Sequence, residues 1–107
     1  MRQIPEKDWK KLRQLKDPLL QSFCDSVLNN LKSIIENRSQ DSHKAYLDLY
    51  KSIHEEDDIL GSLFNDLKRS NAFFKLATWK KHGILSDDDF SKFSEETQNV
   101  VNTIISV

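Results

Sequence analysis

The sequence predicts an all-α fold, a four- to five-helix antiparallel bundle, and three observations carry the prediction. Apolar residues recur at three- and four-residue steps over most of the chain, the period of amphipathic helices. No segment alternates apolar and polar residues as a half-buried strand does. Only two glycines and two prolines occur in 107 residues, and both prolines and one glycine fall where helices should begin or end. The length gives one helical domain, residues 1–107, with no room for a second core.

Pro5, tolerated in a first helical turn, is followed by Glu6 and Asp8 near the positive end of the helix dipole and by Trp9, Leu12 and Leu15. A short first helix is expected, because Asp17-Pro18 reads as an N-cap followed by proline at the first position of a second one. Leu20, Phe23, Cys24, Val27, Leu28, Leu31, Ile34 and Ile35 then form one continuous apolar stripe, expected to lie in the core. Asn37-Arg38-Ser39-Gln40 is a polar connection of the length that joins antiparallel helices.

Between about residues 41 and 82 the spacing predicts one long central helix. Tyr46, Tyr50, Ile53, Asp57, Leu60, Phe64, Leu67, Asn71, Phe74 and Thr78 step 4,3,4,3 throughout, a heptad seam interrupted by the polar Asp57 and Asn71. Gly61 costs about 1 kcal/mol relative to alanine inside a helix. The alternative is a break near Asp58–Gly61, with Asp58 capping a new helix, but the register passes Gly61 without a skip.

His82-Gly83-Ile84-Leu85-Ser86 carries the clearest local signal. Gly83 suits the left-handed position that closes a helix. Ser86 is an N-cap with Asp89 three residues on, and Leu85 and Phe90 occupy the two positions of a hydrophobic staple. Phe90, Phe93, Thr97, Val100, Val101, Ile104 and Ile105 predict one last amphipathic helix.

Two local resemblances accompany these patterns. Residues 79–90, Trp79-Lys80-Lys81-His82-Gly83-Ile84-Leu85-Ser86-Asp87-Asp88-Asp89-Phe90, resemble the short C-terminal helical hairpin that serves as an oligomerisation motif in many bacterial proteins. Beyond Phe90 the chain departs from that motif, lacking its lysine pair and closing leucines. The opening Ile4-Pro5-Glu6-Lys7-Asp8-Trp9-Lys10, with Phe93-Ser94-Glu95-Glu96-Thr97, resembles a family of small uncharacterised bacterial all-helical proteins. That second resemblance implies a cytoplasmic helical domain and transfers no functional residues.

Composition narrows the function. Sixteen basic and 17 acidic groups give net charge −1, which excludes a globally basic nucleic-acid binder. No apolar run approaches the ~20 residues of a membrane span, so no membrane partner is expected. The opening Met1-Arg2-Gln3-Ile4-Pro5 lacks the apolar stretch of a secretory signal. A single cysteine, Cys24, makes a reducing cytoplasm the expected location.

His54-Glu55-Glu56-Asp57-Asp58 is the densest group of potential metal ligands, with His54, Asp57 and Asp58 on one helical face. Gln40, Lys51 and Trp79 stand three residues before the three histidines, so the Glu-x-x-His pairs of a di-iron bundle are absent. Asp58 stands where a zinc metalloprotease needs its second histidine. Cys24 has Leu20, Gln21, Val27 and Leu28 as helical neighbours, none of which makes it a thiolate. No metal, no cofactor and no enzymatic activity are therefore expected.

Charge is sorted into blocks. Residues 1–16 carry six basic and two acidic groups, residues 36–58 three and seven, residues 65–83 five and one, and residues 84–107 one and five. A continuous 41–82 helix would run about 60 Å at 1.5 Å per residue, and its two facing helices would each cover about half. Part of the seam would stay bare, and bare apolar stripes mark interfaces. The expected interface is Tyr50, Ile53, Leu60, Phe64, Leu67, Asn71 and Phe74, with Asp57 and Asn71 setting register in a homodimer or against another protein. The expected function is a non-enzymatic interaction or scaffold domain that self-associates. The alternative is a nucleic-acid-binding regulatory module using Lys68, Arg69, Lys75, Trp79, Lys80 and Lys81, basic residues interleaved with aromatics. Asp87, Asp88 and Asp89 would repel DNA from a helix–turn–helix built on residues 72–100.

Overall fold

The computed structural model describes residues 3–107; Met1 and Arg2, part of the opening basic block, lie outside them. Five α-helices follow one another: α1 (Glu6–Glu36), α2 (Ser42–Phe64), α3 (Ala72–Lys81), α4 (Asp87–Ser91) and α5 (Glu95–Ser106), with a 3-10 turn at Arg69–Asn71. The fold is all-α, and no strand occurs among the described residues.

Asp17-Pro18 does not start a helix. α1 runs unbroken for 31 residues with Pro18 inside it. Proline in a helix interior removes one hydrogen bond and crowds the preceding turn, at about 3 kcal/mol. Here Pro18 faces solvent while Leu12 and Leu19, on either side of it, are buried in one core with Leu15, Leu20 and Phe23 packed against it. Packing on both sides outweighs the local penalty.

The connection after α1 falls where the sequence places it. Asn37 donates from its backbone and side chain to the Ser33 carbonyl, Ser39 adopts a left-handed φ of 56°, and the Asp41 carboxylate accepts the Lys44 N–H at 2.9 Å to cap α2.

The long central helix is overturned. α2 passes through Gly61 but ends at Phe64, and the chain turns over residues 65–68, where Asp66 has a φ of 57°. Asn71 braces this turn, donating to the Asp66 carbonyl at 2.7 Å and accepting the Lys68 N–H at 3.1 Å. The turn swings α3 back onto the end of α2. Trp79 then donates from Nε1 to the Leu63 carbonyl at 2.8 Å, and Lys75 donates to the Ser62 carbonyl at 2.8 Å. Carbonyls that a helix end leaves without partners are thus met by the following helix. A straight rod could not bury Phe73, Leu76 and Trp79 against Phe64 in this way.

Gly83 closes α3 at φ 74°, with Ile84 N–H on the Trp79 carbonyl and Gly83 N–H on that of Lys80, the two bonds of a Schellman motif. Ser86 caps α4 through the Asp89 N–H at 3.0 Å, and the staple residues Leu85 and Phe90 are both buried. The single last helix is a third correction. α4 stops at Ser91, and Ser94 caps a separate α5 through the Thr97 N–H. The interruption turns Phe93 into the core.

The molecule measures 55 × 23 × 23 Å with a radius of gyration of 16.9 Å. A compact chain of this length has about 13 Å. The excess reflects two unequal parts. In the body, the first half of α1, the end of α2 and all of α3–α5 enclose the core around Leu12, Leu63, Leu76, Trp79 and Val101. Beyond it the second half of α1 and the first half of α2 project as a two-helix arm, with Leu31 and Ala45 buried between them.

Candidate interaction surface

Two adjacent rows of α2 divide the work of the arm. Ala45, Leu49, Ser52, Glu56, Ile59 and Leu63 are buried or half-buried against α1. One residue further round the helix, Tyr46, Tyr50 and Ile53 are 65%, 61% and 51% exposed. α1 repeats the arrangement: Leu31 is buried, whereas Leu28 and Ile35, a heptad apart, are 60% and 43% exposed. These two exposed rows border a shallow groove of about 280 Å³, lined by Cys24, Leu28 and Leu31 of α1 and by Ile53, Asp57 and Leu60 of α2. The His82–Ile84 turn after α3 faces Ser22, Ser26 and Ile59 across a second open cavity, on the other flank of the hairpin. One flank is therefore covered at its base, and the opposite flank is bare and apolar.

The expected interface set is split by the fold. Tyr50, Ile53 and Leu60 lie on the bare flank. Phe64 does not: it is 3% exposed, its ring tilted against Trp79 at 5.8 Å and edge-on to Phe23 at 6.2 Å between centroids. Leu67 packs half-buried against the core, and Asn71 is committed to the turn it braces. Phe74 is exposed, but on the body. Leu28 and Ile35, expected in the core, belong instead to the bare flank. The doublets Val27-Leu28 and Ile34-Ile35 carried this in the sequence, because adjacent apolar residues point about 100° apart and one neighbour covers only one of them.

The basic-aromatic set is largely occupied by the protein's own contacts. Trp79 is fully buried, so it offers no face for stacking. Arg69 pairs with Glu6 at 2.8 Å and lies over the Trp9 ring. Lys80 donates to Asn102 at 2.9 Å above the Phe90 ring, Lys75 is tied to Ser62, and Lys68 stands 3.4 Å from Asp66. Lys81 is exposed at the end of α3.

His54 contacts the Tyr50 ring edge-on at 4.6 Å between centroids. Among the described residues no three His, Cys, Asp or Glu side chains converge as metal ligands. No helix among them is long and apolar enough to cross a membrane. Cys24 is half-buried on the groove rather than enclosed in the core.

Among the described residues, Asp8 is the one buried carboxylate. Its Oδ1 accepts the Ser94 N–H at 3.1 Å, and its Oδ2 accepts the Ser94 and Thr97 hydroxyls, each at 2.5 Å. Burial pushes its pKa up, but these hydrogen bonds, with Lys11 nearby, hold it below the ordinary carboxylate value. The arrangement is a structural tie between α1 and α5.

Comparison of the chain with protein-family models, curated proteins and solved structures returns no match.

Proposed function

We propose that the chain is a non-catalytic helical interaction domain that self-associates through the bare flank of its arm. The observation that carries this reading is that Leu28, Ile35, Tyr46, Tyr50 and Ile53, five large apolar residues on two helices, are exposed beside one groove while the body has a complete core. An isolated helix pair buries too little to hold such a face to water, and large contiguous apolar patches mark interaction sites. A second arm laid on this flank completes a four-helix bundle, in which each bare row gains a neighbour.

Light scattering on the purified chain tests the reading. A dimer has twice the 12.5 kDa chain mass, and it is the species expected at micromolar concentration. Ile53→Asp is expected to return the mass to that of a single chain with helical circular dichroism unchanged. A wild-type chain that stays monomeric at several hundred micromolar overturns the proposal.

A further inference from the structure

We propose that the cavity at the base of the arm, between Ser22 and Ser26 of α1, Glu56 of α2 and the His82–Ile84 turn, binds a primary ammonium group on a short apolar stem. The cavity opens on the flank opposite the bare one, so its occupant does not depend on self-association.

Glu56 is the odd member of its row. Ala45, Leu49, Ile59 and Leu63, with Ser52, fill the other positions at which α2 packs against α1. A carboxylate taken partly out of water costs stability unless a cation or hydrogen-bond donors meet it. Glu56 is half-buried, yet no other described residue pairs with its side chain. The cavity beside it measures about 380 Å³, at the small end of ligand clefts. Ser22, Ser26 and His82 line the same space, and among the described residues their side chains have no hydrogen-bond partner.

The lining selects the ligand. Among the described residues that form it, Glu56 brings the only carboxylate, and none is lysine or arginine. The carbonyl end of α3 stops at the same wall, at His82 and Gly83, where the helix dipole adds partial negative charge. Both favour a cation. The acceptors come from three separate elements: hydroxyls from α1, a carboxylate from α2 and an imidazole from the turn after α3. An ammonium carries three diverging donors and meets acceptors on several sides, whereas a guanidinium presents its donors in one plane. Phe23, Ile59 and Ile84 complete the wall and give an alkyl stem an apolar surface. A free alkylamine and the lysine side chain of another protein share this chemistry.

Amide NMR of the full chain, titrated with n-pentylamine near neutral pH, tests the site. Saturable shifts at Ser22, Ser26, Gly83 and Ile84 are expected, with a dissociation constant of about a millimolar. Glu56→Gln keeps the size and removes the charge. It is expected to leave the helical circular dichroism unchanged and to weaken binding about tenfold, the worth of one charge-assisted hydrogen bond. n-Pentanol, with the same stem and no charge, is expected to leave these amides unmoved. Lysine blocked at both backbone ends separates the two sources. Binding equal to that of the amine assigns the site to a lysine side chain, and binding of the amine alone assigns it to a free amine. No saturable shift with either probe overturns the proposal. So do equal shifts with n-pentanol, or an affinity unchanged in Glu56→Gln. Shifts confined to Leu28 and Ile53 overturn it as well, since they place the amine on the bare flank, which Glu56 also borders.

Discussion

Asp8 of α1 and Thr97 of α5, 89 residues apart in sequence, are both buried and joined by a 2.5 Å hydrogen bond from the threonine hydroxyl to Oδ2. Ser94, the cap of α5, donates to the same carboxylate from its hydroxyl and its backbone. One acid of the first helical turn thus fixes where the last helix begins. Lys11, donating to the Lys92 carbonyl one turn further along α1, closes the same seam.

The tie makes stability depend on acid. The Asp8 pKa is lowered in the folded chain, relative to about 3.9 when unfolded. A carboxyl depressed by folding adds stability that is fully present above the unfolded value and lost as pH falls through the folded one. Asp8→Asn is expected to cost about 2 kcal/mol near neutral pH, because an amide turns a donor towards two hydroxyls. Urea unfolding at a series of pH values checks this. The gap between wild type and variant should narrow below about pH 4, and a gap constant down to pH 2.5 contradicts the assignment.

Gly61→Ala is expected to stabilise by about 0.5–1 kcal/mol. Gly61 is inside α2, and a Cβ there meets only the Asn65 side-chain nitrogen at 3.1 Å, the end of an exposed side chain. Thermal melting shows the sign, and a lower midpoint would place the break at Gly61 after all.

Pro18→Ala is expected to stabilise α1 by about 1–3 kcal/mol, since it restores a backbone donor in a continuous helix. Pro18 is exposed, so no core contact is lost. Destabilisation in chemical unfolding would mean that the proline ring supports a bend the body needs.

Leu28→Asp and Leu31→Asp should part company. Leu31 is 8% exposed and Leu28 60%. A charge at Leu31 costs several kcal/mol and lowers the unfolding midpoint sharply. A charge at Leu28 leaves the unfolding of the dilute chain within about 0.5 kcal/mol and acts on association instead. Equal losses in dilute unfolding would show that the arm flank is covered within the chain.

What the sequence determined by itself is whatever a few neighbouring residues decide. Gly83, Ser86 and the Leu85–Phe90 staple act within single turns, so the end of α3 and the start of α4 could be read directly. The polar stop at Asn37–Gln40 and the passage of α2 through Gly61 are equally local. The tertiary structure decided the rest. Pro18 signals a helix start, yet α1 continues because a core assembled from distant elements holds both of its flanks. The heptad spacing persists past Phe64, yet the chain turns there because α3 gains Phe64, Leu63 and Ser62 as partners only by folding back. The spacing of Tyr46, Tyr50 and Ile53 could be read as a face, but a face is an interface only where nothing in the same chain covers it. Coverage depends on where α3 lands, and it lands over Phe64 and leaves the arm bare.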